Sequence, residues 1–251
     1  MWTRRLSINE CLKYSNIKYK FLIVRHGESI WNKSSKFTGW TNIPLTEYGK
    51  QESQYIGRSL IMHNVIPNIM FTSVLDRAIN TANIIKKELN VPNRDDIAIH
   101  TSWRLNEKHY GTIEGLPRQL IRSNYGNAFT DLIRNDFYTK PPIVNDFDHM
   151  KNLTKHPVYK NCYIDKLQYG ESKQNVLERL LPYYENDILY TLSENKFPLI
   201  VTHKHCARVL MKHLLKISDV DFQKYKLPEH KILLVCLKDN LDYDKHFELE
   251  Y

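Results

Sequence analysis

Two short apolar runs that each stop two residues before a histidine constrain this chain more than any other feature. Phe21-Leu22-Ile23-Val24 leads through Arg25 to His26, and Leu199-Ile200-Val201 leads through Thr202 to His203. Continuous β-branched and apolar runs of this length read as strands buried on both faces. Between and after them the pattern alternates. Thr46 is placed to cap a helix reaching about Asn64, and Pro67–Thr72 reads as a strand. Asp76 to Leu89 carries Ala78, Ala82, Ile85 and Leu89 on one helical stripe. Ile97–His100 reads as a strand, and Glu171 to about Leu192 as a helix kinked at Pro182. Cys206–Lys216 reads as a helix with Cys206, Leu210 and His213 or Leu214 inward, and Lys231–Leu237 and His246–Glu250 as closing strands. This alternation predicts a single α/β domain with a mostly parallel, about six-stranded sheet flanked by helices. Residues 1–19 read as an amino-terminal extension and 20–251 as the catalytic domain. Within it, 117–170, with Pro141-Pro142, reads as a less regular insertion or lid.

At 251 residues the chain is long enough to bury a core without disulfide or metal staples. Cys11, Cys162, Cys206 and Cys236 are widely spaced, which favours a reducing compartment. Residues 1–20 lack the apolar run of a signal peptide, and no run is long enough for a membrane span, so the expected location is cytoplasmic. The net charge of +8 predicts an anionic partner: a phosphorylated metabolite, a nucleic acid or a membrane surface. Part of the surplus reads as genomic base bias, given the many Lys, Asn and Ile residues.

Parallel strands present ligand-binding residues at their carboxyl ends, so His26 and His203 are expected at one edge of the sheet. Arg25 adjoins His26, and Arg77 follows the strand ending at Thr72. A neutral imidazole attacks phosphorus, and guanidinium groups match phosphoryl oxygens. A carboxyl group must protonate the leaving oxygen, and Glu107 and Glu28 are the candidates. Against this stands the plainer reading that such histidines are surface or satisfied core residues.

Leu22-Ile23-Val24-Arg25-His26-Gly27-Glu28-Ser29-Ile30-Trp31-Asn32, then Phe37-Thr38-Gly39-Trp40 and Pro44-Leu45-Thr46, closely resemble the cofactor-dependent phosphoglycerate mutases of the histidine phosphatase superfamily. Thr72 through Ala78, Trp103 through Gly111, and Glu171 through Pro182 agree in order and spacing, and the resemblance spans roughly residues 20 to 250. It implies interconversion of 3-phosphoglycerate and 2-phosphoglycerate, with His26 as the phosphorylated nucleophile and Glu107 as proton donor and acceptor. His203, Arg25 and Arg77 would stabilise the transferring group. Ser29, Asn32, Thr38, Gly39, Tyr110 and Arg118 would line the phosphate and substrate pocket, with Arg118 where the family has lysine. The family is primed by 2,3-bisphosphoglycerate, needs no metal, and forms homodimers or homotetramers. Trp31, Trp40, Trp103 and His109 read as structural, Glu28 as ordering Arg25 or His203, and Lys108, where the family has arginine, as a solvated or salt-bridged charge.

Three departures qualify the resemblance. Lys204 and His205 stand where the family has glycine and asparagine after the second histidine. Arg134-Asn135 stands for two consecutive arginines, which predicts a weaker grip on the substrate. The chain also stops soon after its last strand, so a long tail over the site is expected to be short or missing, which favours hydrolysis. The alternatives are a histidine-dependent phosphatase of phosphorylated metabolites and a non-catalytic phospho-ligand binding protein. His203-x-His205 with Cys206 supplies too few ligands for a metal site. Basic residues are scattered, so no nucleic-acid or membrane partner is expected.

Overall fold

A computed structural model describes residues 17–89, 96–142, 159 and 170–251. The chain runs through β1 (Tyr19–Arg25), α1 (Ile30–Lys33), α2 (Glu47–Met62), β2 (Ile69–Thr72), α3 (Asp76–Glu88) and β3 (Ala98–Thr101). It continues through α4 (Arg118–Asn135), α5 (Lys173–Tyr183), α6 (Leu189–Ser193), β4 (Pro198–Thr202), α7 (Lys204–Leu214), α8 (Asp219–Phe222), β5 (Lys231–Leu237) and β6 (Tyr243–Glu250). The six strands form one sheet in the order β3-β2-β4-β1-β5-β6. β3, β2, β4 and β1 are mutually parallel, whereas β5 and β6 close the sheet antiparallel.

Side chains alternate across the sheet, so the central strands feed two cores. Phe21 and Ile23 join Phe71, Ile200 and Val235 against Val176, Leu180 and Leu210 of α5 and α7. Leu22 and Val24 join Met70, Leu199 and Val201 against Ile56, Leu60 and Ile85 of α2 and α3. Burial on both faces is why Phe21–Val24 of β1 and Leu199–Val201 of β4 are apolar at consecutive rather than alternate positions. The chain leaves β1 toward β2 on one side and leaves β4 toward β5 on the other, opening a crevice at their carboxyl ends.

Several elements differ from the sequence reading. Residues 118–135 form helix α4, where an irregular stretch is expected from sequence. Gly126 takes φ +84° within it and resets the helical phase, so no single apolar stripe runs its length. Most of residues 143–170, including Cys162, lie outside the described residues, as do residues 1–16. Tyr19, counted with the extension, already opens β1. The helix carrying Pro182 does run on as expected, but with a π-helical turn at Tyr184–Ile188 between α5 and α6. α7 starts at Lys204, two residues early, and turns Leu214 inward and His213 out.

Candidate active site

The register that pairs Val24 with Val201 and Arg25 with Thr202 makes the next residue on both strands a histidine. The His26 backbone N–H donates to the Thr202 carbonyl at 2.9 Å, and the two imidazoles lie 4.8 Å apart between centroids. Both are buried. His26 Nδ1 sits 2.7 Å from the Gly27 carbonyl oxygen, which can only accept, so Nδ1 carries the proton and Nε2 keeps its lone pair. Gly27 is required by close packing: a Cβ there would fall 2.1 Å from the Gly49 carbonyl oxygen. His203 Nε2 is bonded to Ser73 Oγ at 2.8 Å, while its Nδ1 is buried without a partner among the described residues.

Arg77, in the first turn of α3, is buried and donates to the carbonyls of Thr41 (2.9 Å) and Gly39 (2.7 Å). Gly39 has φ +52°, and a Cβ there would collide with the Glu114 carboxyl group. Its left-handed turn supplies the carbonyl that Arg77 binds. Glu107 follows a single 3-10 turn, Trp103–Leu105, and its Oε1 accepts from the N–H groups of Lys108 (2.8 Å) and His205 (3.2 Å). Two side chains hold the Glu107 backbone carbonyl: Trp40 Nε1 at 2.7 Å and Arg179 Nη2 at 2.9 Å. Arg179 is itself paired with Glu171 at 2.6 Å.

These groups meet at a cavity of about 300 Å³. Arg25, His26, Arg77 and Glu107 lie in its wall; Arg118 and Arg134 enter from opposite ends of α4. Asn32, Thr38, Gly39, Tyr110, Lys204 and His205 complete the set expected there. Seven Lys and Arg side chains face four Glu, so the wall carries a positive excess. Five buried polar atoms of the site have no partner among the described residues: Thr38 Oγ1, Arg77 Nε, Arg118 Nε, His203 Nδ1 and His205 Nδ1. Buried polar atoms are rarely left unpaired, and this set suits an anion rich in oxygen.

The sequence profile of the histidine phosphatase superfamily (branch 1) matches residues 21–155 and 146–241. The chain belongs to this superfamily. It is 39% identical over 222 residues to a 2,3-bisphosphoglycerate-dependent phosphoglycerate mutase of Bifidobacterium longum, covering 88% of this chain and 87% of that protein. A protein of the same name from Corynebacterium diphtheriae is 37% identical over 209 residues, covering 83% and 82%. Among solved structures, a mycobacterial glucosyl-3-phosphoglycerate phosphatase superposes with TM-score 0.68 at 18% identity, covering 92% of this chain and 98% of that one. Bacillus stearothermophilus YhfR superposes with TM-score 0.66 at 22% identity, covering 90% and 94%. These two share the fold.

In this member of the superfamily, burial sets the protonation states. Burial, then the charges of Arg77 and Arg25, hold His26 well below the usual imidazole range, so it is neutral near neutral pH. His203 is lowered by burial and then Arg77. Burial raises Glu107 above the ordinary carboxyl value, against the pull of its two backbone donors and Arg77. Burial lowers Arg77 to about 10, which leaves it charged at neutral pH.

Not every expected residue reaches the cavity wall. His203 is wholly buried behind it, against the ring of His26. Ser29 is buried as the N-cap of α1, where its side chain accepts from the Asn32 N–H and so holds the segment that carries Asn32. Asn135 is exposed and outside the wall, although its neighbour Arg134 is in it. Asn135→Arg is therefore expected to shift KM by no more than about twofold, the scale of a neutral surface change, as steady-state kinetics would show. Glu28 orders neither Arg25 nor His203; its carboxylate accepts from Thr46 Oγ1 at 2.9 Å. Lys108 is not solvated but wholly buried, and burial lowers its ammonium to about 7. Glu52, Glu229, His230 and Tyr251 line the cavity but were not foreseen. Only Glu52 carried a signal, as a charge on the stripe of Ile56 and Leu60 in α2; the others arrive through loop packing.

Proposed function

We propose that the protein is a 2,3-bisphosphoglycerate-dependent phosphoglycerate mutase that interconverts 3-phosphoglycerate and 2-phosphoglycerate through a phosphohistidine at His26. One observation carries the reading: His26, with Nε2 unprotonated, shares the wall of one cavity with Arg25, Arg77 and Glu107 and is backed by the ring of His203. His26 Nε2 attacks phosphorus while the bond to the ester oxygen breaks, and Glu107 gives that oxygen its proton. On return, the Glu107 carboxylate takes the proton of the accepting hydroxyl as the N–P bond breaks. Arg25, Arg77 and His203 stabilise the equatorial oxygens in the transition state. 2,3-Bisphosphoglycerate, when bound, supplies the priming phosphoryl group. Arg118 and Arg134 would hold its second anionic group, as they would the substrate carboxylate, with Asn32, Thr38, Gly39, Tyr110 and His205 orienting the ligand.

The arginines supply the positive charge that a divalent metal supplies in other phosphoryl-transfer sites, so the reaction as proposed needs none. Among the described residues no cluster of three or more His, Cys, Asp or Glu is arranged to hold a metal, His203 and His205 included. The proposed setting is the cytoplasm, with a homodimer or homotetramer as the assembly. Cys206 and Cys236 are free and buried, which fits a reducing compartment, and no described helix is long and apolar enough to cross a membrane.

Phosphatase activity on the same ligands is the second reading, favoured by Lys204. Its ammonium is paired with Glu229 at 3.1 Å rather than free for substrate. Assaying isomerised product and released phosphate together, with and without 2,3-bisphosphoglycerate, decides between them. A mutase gives primer-stimulated 2-phosphoglycerate in excess of free phosphate. Phosphate as main product establishes the phosphatase, and neither product a binding protein.

A further inference from the structure

Three buried basic side chains that take no part in the proposed chemistry converge on the carboxyl end of α4. Lys108 Nζ donates to the carbonyls of Ile133 (2.7 Å) and Thr139 (3.3 Å). Lys173, the first residue of α5, donates to the Asp136 carbonyl at 2.7 Å. Arg208 of α7 reaches the Arg134 carbonyl at 3.5 Å while its other donors bind Phe222 and Tyr225 carbonyls. All three side chains are nearly or wholly buried. The last carbonyls of a helix lack intrahelical donors and gather negative partial charge, so they attract cations. Each of these basic side chains is nevertheless costly to bury.

The position of Arg134 makes this cost intelligible. It sits one residue after Ile133 and two before Asp136, and it projects into the cavity. Lys108 connects it to the proton carrier from the other side. The Lys108 backbone N–H binds Glu107 Oε1 at 2.8 Å while its ammonium binds the α4 end. One residue thus spans the group that handles the proton and the helix that presents a guanidinium to the substrate. Helix α7 links the same two parts more loosely, through the His205 N–H on Glu107 at 3.2 Å and Arg208 on the Arg134 carbonyl at 3.5 Å, whereas Lys108 joins them within one residue.

We propose that Lys108, supported by Lys173, is a positioning residue that fixes Arg134 relative to Glu107 and thereby sets affinity for the phosphorylated substrate. The inference rests on the phosphoryl-transfer reading above for what Arg134 holds, but its test does not require turnover. Lys108→Met removes both bonds with little change in length. It is expected to raise Kd and KM for 3-phosphoglycerate about tenfold or more, the scale of one charge-assisted hydrogen bond to the ligand, with a smaller change in kcat. Arg134→Met should weaken binding similarly, and the two together should cost little more than either alone. Lys108→Arg keeps donors for both carbonyls and should restore affinity.

The double-mutant cycle on 3-phosphoglycerate affinity, measured by titration calorimetry, is the deciding experiment. Non-additive losses with rescue by arginine support the brace. Additive losses, or a lowered melting temperature with unchanged affinity, overturn it. If Lys108→Met does not fold, Lys173→Met enters the same cycle with the same two outcomes. A wild-type protein that binds 3-phosphoglycerate without isomerising it would refute the mutase reading alone, because the cycle is read on binding.

Discussion

His26→Ala is expected to abolish uptake of labelled phosphate from 2,3-bisphosphoglycerate and to lower interconversion by at least about 10⁴-fold, the scale of losing a nucleophile. The side-chain hydrogen bond that would be lost is the one to the adjacent Gly27 carbonyl. The His26 backbone N–H still binds Thr202, so β1 and β4 keep their register. Loss of activity with an unchanged melting transition is therefore the expected pair of results. The wild-type pH profile supplies a second check. Burial and the neighbouring arginines lower the His26 pKa, so the imidazole stays unprotonated below the pH at which an exposed histidine would gain its proton. The acid limb of kcat/KM should lie below about pH 6.5, and Arg77→Met, by removing one of those charges, should move it upward. Labelled phosphate retained in His26→Ala would place the nucleophile elsewhere.

What sequence reasoning could reach follows from how local each feature is. β1 and β4 were legible because burial on both faces leaves an unbroken apolar run, and their histidines sit at a fixed offset from it. α4 was not legible. Gly126 divides its apolar residues into two phases, and its function lies in where its two ends point, which no local pattern records. Arg118 and Arg134 came from resemblance alone, and the same resemblance drew in Asn135, which faces outward. Lys108 shows the limit most plainly. A lysine between Glu107 and His109 looks like a surface charge, and only the tertiary fold brings the carbonyls of Ile133 and Thr139 to it. Glu229 and Tyr251 reach the cavity from the loop before β5 and from beyond β6, so their part depends on the antiparallel closure of the sheet.

Glu107→Gln should separate proton transfer from phosphoryl transfer. The amide keeps an oxygen that accepts from the N–H groups of Lys108 and His205, so the loop is expected to hold its shape. What is lost is the exchangeable proton, and general acid–base catalysis of this kind contributes about 10²–10⁴-fold. The loss should depend on the leaving group. A sugar-acid alkoxide needs a proton as its bond to phosphorus breaks, whereas p-nitrophenolate leaves without one. Glu107→Gln should therefore lose most of its isomerisation of 3-phosphoglycerate yet still transfer phosphate from p-nitrophenyl phosphate to His26, leaving a phosphoenzyme that turns over slowly. Burial works in the same direction for both partners in the native protein. It disfavours imidazolium at His26 and carboxylate at Glu107, the directions that the proposed nucleophile and acid require. As pH rises, Glu107 gives up its proton, and the alkaline limb of the wild-type profile for 3-phosphoglycerate should be missing from the p-nitrophenyl phosphate profile. Equal losses for the two phosphoryl donors would mean that Glu107 shapes the pocket and that the proton comes from another group.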